Sequence, residues 1–151
     1  MTHPNKAPFS GVLTILDTPS DKAPSGGRGH RVLLTTQAAK DALDSLIGVG
    51  VNIRRDLTGH EAAHKIGVID SAVIRGNELL ITGYLFTRDC AAIIDSISAS
   101  ADYGMSYELA DARVEDMRAE VWKLTRVTFT GAAILLRDKA AYRTTSFKLE
   151  D

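Results

Sequence analysis

The most constraining feature of the sequence is a pair of apolar, β-branched runs, residues 65–74 and 78–86, separated only by R-G-N. Two such runs joined by a short segment that contains glycine predict a β-hairpin. Five other segments have the same strand character. Together with the hairpin, they predict about seven strands. These segments are residues 9–16, 31–35, 51–54, 106–114 and 121–136.

Two segments have helical spacing instead. A helix is expected to begin at a cap formed by Thr35 or Thr36 and to end at Gly48, and residues 87–99 predict a second helix. Because helices do not regularly separate the strands, a doubly wound parallel sheet is not expected. The sequence predicts an α+β, mainly β fold: a small antiparallel β-barrel of about seven strands with helices packed outside.

The length of 151 residues predicts a single domain, residues 1–151. Residues 17–30 are rich in Pro, Gly, Ser and Asp, which predicts a mobile loop. The polar end of the chain, residues 143–151, is expected to be a frayed tail.

Charge and composition exclude several kinds of partner. A formal net charge of -1 gives no bulk electrostatic reason to bind nucleic acid or an anionic membrane, so neither is expected. There is no run of about 18 apolar residues that could span a bilayer, and the N-terminus has no apolar signal region. Cys90 is the single cysteine, which excludes an internal disulfide and fits a reducing cytoplasm.

Residues 60–64, H-E-A-A-H, match the zincin motif H-E-x-x-H. That motif needs a helix, so that both histidines face one metal ion and the glutamate faces a water molecule. Here Gly59 precedes the motif and a strand-like run, residues 66–69, follows almost at once. A zinc hydrolase is therefore the less favoured alternative, and no metal or other cofactor is expected.

A serine at position 106 lies within D-Y-G-M-S-Y-E, residues 102–108. Strand serines are common and usually inert, because a hydroxyl tolerates the solvent face of a sheet. Serine catalysis also needs a positioned base and donors for the oxyanion. Ser106 is thus a candidate nucleophile only if the rest of the chain supplies these groups.

Four segments, taken in order, resemble the phage prohead (capsid maturation) serine proteases, which are relatives of the herpesvirus assemblins. They are L-T-G-H-E-A-A-H-K-I-G-V-I, G-N-E-L-L-I-T-G-Y-L, G-M-S-Y-E and F-T-G-A-A-I-L-L-R-D-K-A-A-Y. The resemblance covers roughly residues 10–145. Its most specific parts are the G-M-S element and the histidine seven residues before the glycine of G-V-I. It implies a β-barrel ringed by helices.

The resemblance assigns Ser106 as the nucleophile and His60 as the general base. A histidine, with a usual pKa near 6.5, can take the proton of a serine hydroxyl and later return it to the leaving amine. His64 is the competitor, either as the base or as a group that orients His60. The interpretation favoured for His64 is a loop histidine that faces solvent.

The third catalytic group departs from the family pattern. In the herpesvirus relatives it is a second histidine on the strand after the serine, and in phage relatives it is often an acid. The matching stretch here, L-T-R-V-T-F-T-G, offers neither. Thr128 is therefore named as the third member, and an acid from elsewhere (Glu108, Asp111 or Glu120) or a Ser–His dyad remain as alternatives.

The resemblance also places Arg137 in the oxyanion region, with a surface ion pair to Asp138 or Glu150 as the alternative interpretation. It implies a serine endopeptidase that processes the phage scaffold and major capsid protein inside the assembling prohead, in the host cytoplasm. Self-cleavage and a homo-oligomer are further expectations. A non-catalytic scaffold or capsid-assembly module on the same fold is the alternative, motivated by the missing third residue.

Overall fold

A computed structural model describes residues 3–98 and 102–150 of the protein. These residues form eight β-strands and two α-helices. The strands are β1 (Ala7–Ile15), β2 (Arg31–Leu34), β3 (Gly50–Ile53), β4 (Lys65–Arg75), β5 (Glu78–Leu85), β6 (Tyr103–Val114), β7 (Val121–Leu136) and β8 (Ser146–Leu149). The helices are α1 (Thr36–Ala42) and α2 (Ala91–Ser98).

The predicted hairpin is confirmed. Strands β4 and β5 pair antiparallel, and the pairing closes at Arg75 opposite Glu78. Gly76 has a φ of 61°, a conformation that glycine adopts without the steric cost of a Cβ atom, so the turn can be tight.

Helix α1 is also confirmed, with Thr35 as its cap. The hydroxyl of Thr35 accepts a hydrogen bond from the N–H of Ala38 at 3.1 Å, which satisfies one of the free donors at the helix start. The α-helical part is shorter than predicted, because a 3-10 turn over residues 43–46 follows Ala42. Helix α2 begins at Ala91, four residues after the predicted start at 87.

The strands form one sheet in the order β2-β7-β3-β4-β5-β1-β8, and β6 pairs with β7. Strands β2 and β3 run parallel to β7, and the remaining pairs are antiparallel. The sheet curls into a half-barrel, so that Met105 of β6 packs near Gly11 of β1. The fold is thus mainly β, with two helices packed outside, as the sequence predicts.

The core lies between the curled sheet and the helices. Its largest fully buried side chains include Phe9, Leu13 and Phe129, and α1 contributes Ala38 and Ala39. Alanines on this face allow the helix to lie close to the sheet. No helix in the described part of the chain is long and apolar enough to cross a membrane.

The C-terminal segment differs from the expected frayed tail. Residues 146–149 form β8, which pairs antiparallel with β1. Phe147 is buried and stacks at 5.1 Å between ring centroids on Phe9 of β1. Burial of this aromatic ring is worth about 1.5–3 kcal/mol. Leu149 of the same strand also packs against the core, so both side chains hold β8 in place.

The segment 17–30, predicted as a mobile loop, is attached to the barrel by several hydrogen bonds. Ser20 is fully buried, and its N–H donates to the carbonyl of Val32 at 2.7 Å. The hydroxyl of Tyr142 donates to the carbonyl of Thr18 at 2.7 Å. These contacts hold the first half of the segment against β2.

Candidate active site

Ser106 lies on β6, where it pairs in register with Ala133 of β7. The N–H of the preceding residue, Met105, donates to the hydroxyl of Thr145 at 3.1 Å and fixes the strand at this point. Residues i and i+2 of a strand point to the same face of a sheet. Glu108 therefore shares the face of Ser106, which is only half-buried.

His60 approaches this face from the loop between β3 and β4. Its Nδ1 atom lies 2.8 Å from Oε2 of Glu108, and the two side chains are only 22% and 17% exposed. A carboxylate on Nδ1 favours the tautomer that carries its proton there, which leaves Nε2 free to accept a proton. The strand that carries Ser106 thus also carries the carboxylate that orients the histidine.

Asn52 of β3 joins the two parts of the site. Its side-chain amide donates to the same Oε2 atom of Glu108, and its Oδ1 atom accepts the N–H of Glu61 at 3.1 Å. Asn52 is fully buried. A buried amide needs partners for both its donor and its acceptor, and here both partners belong to the site. Asn52 consequently fixes the carboxylate and the loop beside His60 together.

Burial by itself raises the pKa of Glu108, but hydrogen bonds from His60 and Asn52 and the charges of His60 and Lys65 outweigh it. The net result is a pKa below the usual value for glutamate. The Lys65 ammonium lies 3.8 Å from the other oxygen, Oε1. Glu108 is therefore ionised at neutral pH, in the state that can stabilise a protonated imidazole.

Gly131 of β7 makes room for this carboxylate. It lies opposite Glu108 in the register, and a Cβ atom at this position would be 2.5 Å from Oε1 of Glu108. Any larger residue would displace the carboxylate or the strand. The neighbouring strand supplies space at this point, and β6 itself supplies the acid.

Ser106, His60 and Glu108 line one cleft of about 550 Å³. Its wall continues along β6 and β7, and residues 24–27 of the loop segment also line it. No hydrogen bond joins the hydroxyl of Ser106 to a histidine among the described residues. Catalytic hydrogen bonds are often long before substrate binds, so the shared cleft is the relevant relation between the two side chains.

His64 faces elsewhere. Its Nδ1 atom lies 3.1 Å from the carbonyl oxygen of Ile53, and it lines a different cavity with Arg54 and Ile93. Residues 60–64 form a loop with a turn and not a helix, so the two histidines do not share the helix face that the zincin motif requires. Among the described residues, no group of three or more His, Cys, Asp or Glu side chains could hold a metal ion.

Thr128 lies opposite Ala110, five residues before Ala133 on β7. At the rise of an extended strand this is roughly 16 Å from the position opposite Ser106. Within the described residues, Thr128 makes no hydrogen bond to His60. The structure brings Glu108, one of the acids that the sequence left as alternatives, to the position where Thr128 was expected.

Arg137 also lies outside the cleft. Its N–H donates to the carbonyl of Asp102 at 3.0 Å, and its guanidinium lies 3.9 Å from the carboxylate of the same residue. It lines a separate open cavity with Asp138 and Arg143. Arg137 thus forms an ion pair, but its partner is Asp102 and not the Asp138 or Glu150 of the alternative interpretation.

Comparison with solved structures shows the fold. The KSHV protease, determined in complex with a hexapeptide phosphonate inhibitor, matches 96% of this chain with a TM-score of 0.57 and 10% sequence identity. The match covers 65% of the length of that protease. No protein-family model and no curated protein matches the sequence. The chain therefore has the herpesvirus-protease fold that was predicted, and the narrower resemblance to phage prohead proteases stays a prediction.

Sequence reasoning did not identify Asn52 as a site residue. One signal was present, since asparagine is depleted in strands and Asn52 stands between Val51 and Ile53 in an apolar run. An amide there has to satisfy its hydrogen bonds inside the fold. Nothing in the sequence, however, indicates that its partners are Glu108 and the loop that carries His60.

Proposed function

We propose that this protein is a serine endopeptidase with Ser106 as nucleophile, His60 as general base and Glu108 as the group that orients the base. The observation that carries the proposal is the 2.8 Å contact between Nδ1 of His60 and the carboxylate of Glu108. That carboxylate lies two residues after Ser106 on the same strand, and all three side chains line one cleft. A serine, an imidazole and a carboxylate that holds the imidazole are the groups that serine catalysis needs in one cleft.

The reaction follows from these positions. Nε2 of His60 takes the proton from Ser106 as Oγ attacks the peptide carbonyl carbon, and the carbonyl oxygen becomes the oxyanion. When this intermediate collapses, the C–N bond breaks and the imidazolium gives its proton to the leaving amine. A water molecule, deprotonated in turn by His60, attacks the acyl-serine, and the imidazolium returns the proton to Oγ of Ser106 as the C–O bond to the acyl group breaks. Glu108 stays ionised throughout and stabilises the imidazolium.

The proposal replaces Thr128 with Glu108 as the third member. A non-catalytic module was considered because no group that orients His60 was evident in the sequence. Glu108 now fills that position, so this reason no longer applies. A zinc hydrolase is not supported, because Nδ1 of His60 is engaged by Glu108 and His64 faces a backbone carbonyl. Arg137 keeps no assigned part in the chemistry, because its N–H is already bonded to Asp102.

The proposed substrates are a phage scaffold protein and major capsid protein, cleaved inside an assembling prohead in the host cytoplasm, together with self-cleavage. The ordered motifs around His60 and Ser106 support this part of the proposal. Its test is co-expression of the chain with its cognate major capsid protein. We expect Ser106→Ala and His60→Ala each to abolish capsid-protein cleavage, and normal processing by either variant would refute the assignment.

A further inference from the structure

The cleft extends well beyond the three reactive side chains. Strand β7 lies between β6 and β2, with Trp122 of β7 opposite Val32 of β2. Val32 also borders a small cavity that reaches Ser106, so the curl of the sheet brings this distant wall back toward the serine. Leu109 and Val114 of β6 complete the lining on that side. A bound chain at Ser106 would therefore pass along an apolar wall.

Charge in the cleft is confined to the reactive end. Among the residues that line it, the ionisable carboxylate and imidazole belong to Glu108 and His60, which are paired with each other. The remaining lining has no acid, lysine or arginine. A charged side chain buried there would lose its hydration without gaining a partner, which is costly.

The apolar wall is held in place before any ligand binds. The indole N–H of Trp122 donates to the carbonyl of Met117 at 3.1 Å, and its ring stacks on His30 at 4.4 Å between centroids and 14° between planes. Residues 24–27 line the same cleft, and the N–H of Gly27 donates to the carbonyl of Pro24 at 2.9 Å. A wall with fixed aromatic and proline rings can select a side chain by its shape and polarity. Because the rings are already ordered, binding costs little conformational entropy.

We propose that this cleft selects peptides with a bulky apolar side chain near the scissile bond and rejects those with a charged side chain there. Trp122, Leu109 and Val114 are the residues that determine this specificity. Selective cleavage rests on the proposed function, because it requires an active protease. Selective peptide binding depends only on the shape and polarity of the cleft.

Trp122 also provides the assay, because it is the single tryptophan of the chain. The Ser106→Ala protein would be titrated with a blocked hexapeptide of alternating alanine and leucine on a soluble tag. Matched peptides would carry glutamate or lysine in place of every leucine. We expect the leucine peptide to change the fluorescence of Trp122 and to bind at least about tenfold more tightly than either charged peptide. Equal affinity for all three peptides would overturn the inference.

Two alanines of β6 form a matched pair for a second measurement. Ala112 and Ala110 are both exposed, but only Ala112 lines the cleft. We expect Ala112→Glu to weaken binding of the leucine peptide about tenfold and to strengthen binding of the lysine peptide. Ala110→Glu should change neither. A gain in binding cannot arise from misfolding, and identical behaviour of the two variants would contradict the inference.

Failure of the inference and failure of the proposed function are distinguishable. A small alkyl fluorophosphonate without a peptide part reports only whether Ser106 is nucleophilic in the unmodified chain. If Ser106 is labelled but the three peptides bind alike, the protein is a protease without this specificity. If Ser106 is not labelled but the leucine peptide is preferred, the cleft is a peptide-binding site without the proposed chemistry.

Discussion

In the proposed triad, Glu108 takes the role that the sequence assigned to the neighbouring strand, and Gly131 leaves room for it. The resemblance to phage prohead proteases implied an acid or a histidine on the strand after the serine, and neither is present there. Here the carboxylate comes from the serine's own strand, and the residue opposite it is a glycine. The space and the acid are complementary, because a Cβ atom at 131 would collide with Oε1 of Glu108.

This complementarity predicts that Gly131→Ala impairs catalysis through Glu108. The added methyl group displaces the carboxylate from Nδ1 of His60, and loss of an orienting carboxylate costs up to about 10⁴ in rate in the serine triad. Measured kcat/KM should fall for Gly131→Ala and for Glu108→Gln. The double variant should lose little more than Glu108→Gln alone, since both changes act on one contact. Losses that multiply in the double variant would show that Gly131 acts in some other way.

Two buried hydroxyl groups beside Ser106 indicate a binding site for one water molecule. The hydroxyl oxygens of Thr14 and Tyr107 are buried and have no hydrogen-bond partner among the described residues. Both residues line a cavity of about 30 Å³ beside Ser106. A cavity of this size with two polar groups is suited to one bound water molecule.

Tyr107→Phe tests this prediction, because it keeps the aromatic contact with Phe129 and removes only the hydroxyl. If water bridges the two hydroxyls, the variant should lower the free energy of unfolding by about 1 kcal/mol in urea denaturation. If the cavity is dry, Tyr107→Phe should instead raise the free energy of unfolding, because removal of an unsatisfied buried hydroxyl is stabilising.

At the scale of elements, the sequence predicts best where local signals agree. The β4–β5 hairpin and the start of α1 were predictable because turn glycine, strand character and a threonine cap each act over a few residues. Strand β8 was missed because only one of its side chains is buried, and the burial depends on Phe9, more than one hundred residues away in the chain. The position of Glu108 beside His60 is likewise set by register, which no local pattern reveals.

Strand β8 should contribute to stability in spite of its polar composition. Phe147→Ala removes a buried aromatic ring that packs on Phe9, and we expect a loss of about 3–5 kcal/mol in unfolding free energy. Lys148→Ala, on the exposed face of the same strand, is the matched control and should change stability by less than about 0.5 kcal/mol. Similar small effects for both variants would mean that the segment is frayed, as its composition suggested.

At the scale of the whole molecule, the curl of the sheet determines the cleft and the contacts between site residues, which local sequence patterns do not specify. The fold class could be predicted from strand content and the ordered motifs, and the likeness to the KSHV protease confirms it. The cleft could not be predicted, because it is formed by β2, β6, β7 and residues 24–27, which meet only when the sheet curls. Ser106 and His60 were named from the sequence, whereas their connection through Glu108 and Asn52 required the curled sheet.

In the proposed triad, His60 and Glu108 make Ser106 nucleophilic. Treatment of the intact chain with an alkyl fluorophosphonate, followed by mass spectrometry of its peptides, tests it most directly. We predict a single modification on Ser106, absent from Ser106→Ala and His60→Ala and much slower in Glu108→Gln. An unlabelled Ser106, or equal labelling of several serines, would contradict the account.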